Sequence, residues 1–167
     1  GLGERRAGDE VGVWWGMVGG AIGRSCRELA RCGVETTCVS QTDVSEWKAA
    51  LPPTTKLLFA ETPTNPLTEV CDIAALANLA HGVGALLAVD NCFCSPALQR
   101  PTELGADLVM HSGTKSLDGQ GRVMAGAACG PARPLGERLR PPVRPAGMPP
   151  SPFHSGARRA GLRHLRL

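Results

Sequence analysis

The sequence predicts an α/β fold built around a largely parallel sheet. Between residues 34 and 130, short β-like runs alternate with segments of helical periodicity, which is typical of β-α-β units. The chain has 167 residues, of which 43% are hydrophobic and 20% are charged, so it is long enough to form one core. We therefore expect a single α/β domain, or part of one.

The first predicted elements are a strand over residues 34–40, a short helix over 43–51 and a second strand over 55–61. Asp43 is placed to cap the helix, because its side chain can accept a hydrogen bond from a backbone amide of the first turn. The second strand, TKLLFAE, is apolar enough to be covered on both faces of the sheet.

The clearest helix is DIAALANLAHGVG, residues 72–84. Asp72 can cap its start, and Gly82 or Gly84 can end it in the left-handed conformation. Apolar residues recur on one helical face at i, i+3, i+4 and i+7. They are Ile73, Leu76, Ala77 and Ala80.

Strands are also expected over residues 85–91, 106–112 and 122–130. Beyond them, eight of the fourteen prolines lie between residues 131 and 152, and proline disrupts regular structure. We therefore divide the chain into a domain over 1–130 and a Pro/Arg-rich linker or poorly ordered tail over 131–167.

The net charge of +3 is unevenly distributed, because the tail holds eight arginines and one glutamate. A basic tail can attract anionic partners, but this one has a single aromatic residue and no recognised binding motif. We expect no specific nucleic-acid partner.

No apolar run approaches the roughly 20 residues of a membrane helix, and the first residues lack a signal pattern. A cytoplasmic protein without a membrane partner is expected.

The seven cysteines are an odd number without the spacing of a disulfide framework. Cys92 and Cys94 have no second pair at the spacing of a zinc site. We expect buried free thiols and no bound metal.

Three polar clusters follow three predicted strands. They are Glu61 to Asn65, Asp90 with Asn91, and Ser112 to Lys115. Ligands of open α/β sheets bind beyond the carboxyl ends of the strands, and right-handed crossovers place successive parallel strands side by side. The clusters are therefore expected to converge on one cavity.

Lys115 lies in MHSGTKSLDGQGR, which allows three interpretations. A phosphate loop would need glycines six and one residues before the lysine, where this chain has Val109 and Thr114. Ser112 to Lys115 matches the S-x-x-K of serine acyl-enzymes, but that motif should open a buried helix and SLDGQGR has little helical tendency.

In the third interpretation, Lys115 is an imine-forming amine, as used with carbonyl substrates and with pyridoxal phosphate (PLP). Asp90 would then be the acidic partner of the pyridinium nitrogen, and Ser112 and Thr114 would bind the phosphate through their hydroxyl groups. This interpretation gives every cluster a role.

The motifs ETPTNP, DNCFCSPALQRP and HSGTKSLDGQGR resemble the central segment of the Cys/Met-metabolism family of PLP-dependent enzymes. The resemblance extends from Val34 to Gly130. It implies PLP as the cofactor and a homo-oligomer as the assembly. It also implies part of the large domain of a fold-type I, aspartate aminotransferase-like transferase, with helices on both faces of the sheet.

The resemblance assigns roles to five residues. Lys115 is the catalytic lysine that binds PLP covalently, and Asp90 pairs with the pyridinium nitrogen. Ser112 and Thr114 match phosphate-binding positions, and Asn65 matches an asparagine near the cofactor and the substrate carboxylate.

The implied reaction is a γ-replacement on O-succinylhomoserine, in which sulfide displaces succinate and gives homocysteine for methionine biosynthesis. An alternative is a cystathionine γ-synthase or γ-lyase reaction, and a non-catalytic remnant or a basic-tail binding protein is the alternative of another class. Val18 occupies the place of the family's ring-stacking aromatic residue, and the family's phosphate loop and C-terminal domain are missing. We expect a fragment or degraded copy with weak or no activity alone.

Overall fold

The computed structural model describes residues 10–14, 29–31, 33–115, 117–131 and 151–162. In these parts of the chain, six strands form one sheet. The strands are β1 (Glu10–Trp14), β2 (Glu35–Val39), β3 (Thr55–Glu61), β4 (Leu86–Asp90), β5 (Leu108–Ser112) and β6 (Gly126–Cys129).

The described residues also form α-helices and one short 3-10 helix. The helices are α1 (Val44–Ala49), α2 (Ile73–Gly82), α3 (Ser95–Leu98) and α4 (Pro152–Gly161), and the 3-10 helix is Pro101–Leu104. Residues 29–31 are helical as well, directly before β2.

The strands lie in the order β2-β1-β3-β4-β5-β6. Every neighbouring pair is parallel except β5 and β6, which are antiparallel. The predicted α/β fold with a mostly parallel sheet is therefore confirmed. Because β3, β4 and β5 are adjacent and parallel, their carboxyl ends meet at one edge, as the crossover argument predicts.

Most predicted strands are present within one or two residues, and TKLLFAE is β3 in full. The strand expected over 122–130 is confirmed only for Gly126–Cys129, where it forms an antiparallel edge. The sequence pattern gave no prediction for β1, which lies between β2 and β3. Its sequence, EVGVW, contains a glycine, and glycine is unfavourable inside strands.

The two predicted aspartate caps are present. Asp43 accepts a hydrogen bond from the Ser45 backbone amide at 2.8 Å, and Asp72 accepts one from the Ala75 amide at 2.9 Å. Each satisfies an amide that has no partner within the helix. Of the two candidate glycines after α2, Gly84 takes the left-handed conformation, with φ of +74°.

The core lies where α2 packs on β3 and β4. All four residues of the predicted apolar face of α2 are buried, and the strands beneath contribute Leu58, Leu87 and Val89, each with no exposed surface. Trp47 of α1 joins the same cluster and is 1% exposed. This packing holds the strands whose ends carry the polar clusters.

Residues 151–162 differ from the expected tail, because they include α4. The prolines counted against regular structure end at Pro152, the first residue of α4, where proline costs a helix little. Arg122 donates a hydrogen bond to the Ala157 carbonyl at 3.3 Å, which connects α4 to the loop after β5. The division of the chain at residue 130 stays a prediction.

Five of the seven cysteines lie within the described residues, and of these Cys71 is a buried thiol and Cys129 an exposed one. The expectation of burial is therefore wrong for Cys129, which ends the edge strand β6. The remaining two, Cys26 and Cys32, lie outside the described residues. Across the described ranges, no group of three or more His, Cys, Asp or Glu side chains could hold a metal ion. None of the helices described is long and apolar enough to cross a membrane.

We expect Leu76→Ala to lower the free energy of unfolding by about 2–5 kcal/mol, because it leaves a cavity between α2 and the sheet. Leu98→Ala is the matched control, since Leu98 is 82% exposed and its loss should change stability by less than about 0.5 kcal/mol. Urea unfolding of both variants measures the difference, and equal values would contradict the assigned core.

Candidate active site at the carboxyl edge of the sheet

The three polar clusters lie at the adjacent ends of β3, β4 and β5. Glu61 is in register with Asp90, and Asp90 is in register with Met110, two residues before Ser112. Neighbouring strands lie about 4.8 Å apart, and residues in register on parallel strands point to the same face. The Glu61 and Asp90 carboxyl groups therefore share one face at the edge of the sheet.

Asp90 is half-buried at the centre of this edge. Its Oδ1 accepts a hydrogen bond from the Cys92 backbone amide at 3.0 Å, which stabilises the ionised carboxylate. Burial, followed by the neighbouring Asp90 carboxylate, raises the pKa of the Cys92 thiol to about 12. Cys92 is therefore a neutral thiol at neutral pH.

A buried amide network fixes the loop that follows β4. The Asn91 side chain has no exposed surface, and its Nδ2 donates to the carbonyls of Ser95 at 3.1 Å and Gln99 at 2.8 Å. Gln99 Nε2 donates in return to Asn91 Oδ1 at 2.9 Å and to the Thr62 carbonyl at 2.8 Å. The network joins the ends of β3 and β4 to α3, and so holds Asp90 in place.

Lys115 lies on the turn after β5 and is exposed. Its Nζ is 5.0 Å from the centre of the Phe93 ring, within the range of a cation–π contact. Phe93 belongs to the loop that Asp90 begins, so the amine reaches across from β5 to the end of β4. Burial raises the pKa values of both Glu61 and Cys92, and the charge of Lys115 offsets part of each rise, which places Lys115 in the same electrostatic cluster.

The turn that carries Lys115 is attached to the segment before β6. The Gly113 amide donates to the Ala125 carbonyl at 2.6 Å. The Thr114 hydroxyl accepts from the Ala125 amide at 3.1 Å and donates to its carbonyl at 3.4 Å. Thr114, predicted to bind phosphate, thus directs its hydroxyl to the backbone here, whereas Ser112 ends β5 half-exposed.

The serine acyl-enzyme interpretation of Ser112 and Lys115 does not fit this geometry. The S-x-x-K motif of those enzymes opens a helix. Here Ser112 ends a strand, and residues 113–115 form a turn. The contact of Lys115 is with Phe93.

The turn ETPTNP brings Asn65 back to the end of β3. Thr64 is fully buried and closes the turn: its amide donates to the Glu69 carbonyl at 3.0 Å, and its hydroxyl accepts from the Glu69 amide at 2.9 Å. The backbone amide of Asn65 lies close enough to the Glu61 carboxyl group to oppose, in part, the rise in its pKa that burial causes. Asn65 therefore lies at the same edge as Asp90.

Two further side chains have altered titration. Burial, and after it the Asp90 charge, raises the pKa of Glu61 to about 7. Burial lowers the pKa of His111 below its usual 6.5, so the imidazole is neutral at neutral pH, and its Nδ1 is buried with no hydrogen-bond partner among the described residues. Sequence reasoning missed both effects, and Gln99 as well, because they arise from neighbours on other strands.

Val18 lies outside the described residues.

The family described as Cys/Met metabolism PLP-dependent enzyme matches residues 6–167. The chain belongs to this family. The match includes the segment 131–167 that the sequence pattern set apart as a tail. The family resemblance predicted from the motifs is therefore confirmed.

Three known proteins illustrate the range of the family. O-succinylhomoserine sulfhydrylase of Pseudomonas aeruginosa is 47% identical over 164 residues, which cover 96% of this chain and 40% of that protein. Cystathionine gamma-lyase of Bacillus subtilis is 40% identical over 133 residues, 80% of this chain and 35% of that one. The crystal structure of cystathionine gamma-lyase from Lactobacillus plantarum complexed with L-serine has a TM-score of 0.91 at 35% identity, covering 99% of this chain and 43% of its own.

The chain thus spans about 40% of the length of the proteins it matches. The structural match supports the predicted fold-type I architecture, because the superposition extends over nearly the whole chain.

The edge residues fit the chemistry of PLP. An ionised carboxylate supported by a backbone amide, Asp90, suits a protonated ring nitrogen. An exposed amine at the same edge, Lys115, can reach an aldehyde. Ser112 lies between Asp90 and Lys115 in the sequence and is half-exposed. Its hydroxyl group is of the kind that can bind a phosphate.

Gly113→Ala should displace the turn that carries Lys115. An added Cβ would lie 2.9 Å from both the Cβ and the carbonyl oxygen of Ala125, and that backbone cannot move cheaply. We expect a loss of about 1–3 kcal/mol in the free energy of unfolding. Gly82→Ala is the control, because nothing lies within 4 Å of its added Cβ and alanine favours helix. Thermal or urea unfolding should show a lower stability for Gly113→Ala than for Gly82→Ala. If Gly113→Ala leaves the stability unchanged, the described turn is contradicted.

Gln99→Glu should break the buried amide network while preserving its shape. The new carboxylate would face the Thr62 carbonyl and Asn91 Oδ1, both of which need a donor. The expected cost is about 1–3 kcal/mol of unfolding free energy at neutral pH, recovered in part at low pH as the new carboxyl protonates. Gln120→Glu, on an exposed residue, should change stability by less than about 0.5 kcal/mol. Urea unfolding at pH 7 and at pH 4 measures both.

Proposed function

We propose that these residues form the lysine side of the PLP site in an enzyme that replaces the succinyl group of O-succinylhomoserine with sulfide. The observation that carries the proposal is the placement of the Asp90 carboxylate and the Lys115 amine at adjacent strand ends of one sheet edge. The similarity to the Pseudomonas sulfhydrylase over 96% of the chain supports this choice of substrate.

Each residue has a proposed role. Lys115 would hold the aldehyde group of PLP through its amine, and Asp90 would accept a hydrogen bond from the ring nitrogen. Ser112 and Thr114 would bind the phosphate, which requires the Thr114 hydroxyl to leave Ala125. Asn65 would lie near the ring and the substrate carboxylate.

When bound, PLP supplies an electron sink for negative charge that develops on the substrate. The protein residues then control where protons move. The amine of Lys115, once free, would remove the Cα proton and then a Cβ proton, which allows succinate to leave from Cγ, and it would return protons to Cβ and Cα after the nucleophile has added. Asp90 would hold the ring nitrogen in its protonated form. Sulfide adds at Cγ after succinate leaves, which completes the replacement and yields homocysteine.

Formation or cleavage of cystathionine is the second candidate activity. Its support is the similarity to cystathionine gamma-lyase, which is 40% identical over 80% of this chain. For either activity we propose an amino-acid substrate and a homo-oligomeric assembly. The cytoplasmic location expected from the sequence stays a prediction.

The assignment of Lys115 can be tested with PLP itself. Adding PLP to the full chain should give a visible absorption band, and borohydride should fix a PLP adduct on the peptide that contains Lys115. Lys115→Ala should lose both signals. The chain has three lysines, so Lys48→Ala and Lys56→Ala are complete controls and should retain the band. An adduct mapping to Lys48 or Lys56 would refute the assignment.

The substrate is tested by supplying PLP with O-succinylhomoserine and either sulfide or cysteine. Homocysteine formed from sulfide supports the proposed reaction, and cystathionine formed from cysteine supports the second candidate. An O-acetylhomoserine arm reports which acyl group the site accepts.

A further inference from the structure

Glu61 lies at the edge of the site and has no role in the proposed reaction. It ends β3, in register with Asp90 at the end of β4, so the two carboxyl groups lie on one face of the sheet about 5 Å apart at their backbones. Both are half-buried. Two carboxylates that share a partly desolvated site do not both ionise readily, so one of them takes up a proton at a higher pH than an isolated carboxylate does.

The hydrogen bonds indicate which carboxyl group retains the proton. Asp90 Oδ1 accepts a 3.0 Å hydrogen bond from the Cys92 amide, which favours its ionised form. Glu61 is stabilised as an anion by the Asn65 amide and by the charge of Lys115, but burial and Asp90 outweigh both and raise its pKa to about 7. The proton therefore belongs to Glu61.

Among the described residues, the charged and titratable groups near Glu61 lie on β4, on the loop after it and on the turn after β5. Asp90 lies on β4, Cys92 follows it, and Lys115 lies after β5. Cys92 stays a neutral thiol with a pKa of about 12. Glu61 accordingly exchanges a proton near neutral pH.

We propose that Glu61 is a positioning residue that sets the charge of the site: its protonated form favours the neutral, nucleophilic amine of Lys115, and its ionised form favours the ammonium. When Glu61 takes up a proton, one of the two negative charges near Lys115 disappears, and the ammonium loses part of its stabilisation. The inference rests on the proposed function only in treating Lys115 as the reactive amine.

The first test is a titration that involves no PLP. Carbon-13 NMR of the full chain labelled at its glutamate carboxyl carbons should show one resonance with a midpoint near pH 7. That resonance should be absent in Glu61→Gln and present in Glu103→Gln, which alters an exposed glutamate. Its midpoint should fall in Asp90→Asn, which removes the repelling charge, and rise in Lys115→Met, which removes the attracting one. If all glutamates titrate near their usual value of about 4.3, the proposal is wrong.

The second test measures the amine itself. The rate at which trinitrobenzenesulfonate modifies Lys115 is followed by peptide mapping, with Lys48 and Lys56 as internal references. Above pH 7, Glu61→Gln should raise the rate at Lys115 by roughly three- to tenfold, the effect of half to one pKa unit, and leave the other two lysines unchanged. Below pH 6 the variant and the unaltered chain should agree.

A difference that persists unchanged at all pH values would show that Glu61 acts only on structure, and would overturn the proposal. The outcome is separable from that of the proposed function. If Glu61 titrates near pH 7 but no PLP adduct forms, the charge coupling is supported and the proposed function is not. If PLP binds at Lys115 but no glutamate titrates near pH 7, the proposed function is supported and the charge coupling is not.

Discussion

Parallel pairing of β3, β4 and β5 is the constraint on which the site depends. Because the three strands run in the same direction and are adjacent, each delivers its last residue to the same edge of the sheet. The register is specific as well, since Glu61 and Asp90 are paired directly. A shift of one residue in β4 would turn Asp90 to the opposite face, away from Glu61.

Packing and buried polar contacts keep that register. The apolar face of α2 covers β3 and β4, while the Asn91 and Gln99 amides join the two strand ends beyond the last residues of the ladder. A buried amide network of this kind is stable only when its donors and acceptors are paired, and here each amide group of Asn91 and Gln99 that faces the network has a partner. The loop from Asp90 to Phe93 therefore leaves the sheet in a fixed direction.

The site combines rigid and accessible groups. Asp90 is held by a backbone hydrogen bond on a core strand, whereas Lys115 is exposed and lies on a turn anchored at Ala125. A fixed carboxylate and a movable amine suit a reaction in which the ring of a cofactor stays in place while the lysine transfers protons. The titration of Glu61 adds a neutral-pH dependence to the same cluster, because burial opposes a second negative charge beside Asp90.

The sequence by itself determined the local elements and the family to which the chain belongs. The apolar run TKLLFAE determined β3, and the 3.6-residue periodicity together with Asp72 determined α2. The motifs around Asp90 and Lys115 indicated PLP through their resemblance to a known family. These signals are local, so they can be recognised without knowing which parts of the chain are neighbours.

Only the tertiary structure decided the features that depend on neighbours distant in sequence. The position of β1 between β2 and β3, the antiparallel edge β6 and the role of Gln99 each follow from pairing that no local pattern encodes. The altered pKa of Glu61 has the same origin. The motif ETPTNP alone indicates only a turn, and the pairing of β3 with β4 is what brings Asp90 beside Glu61. Burial and charge act through space, so the raised pKa of Glu61 can be recognised only in the folded chain.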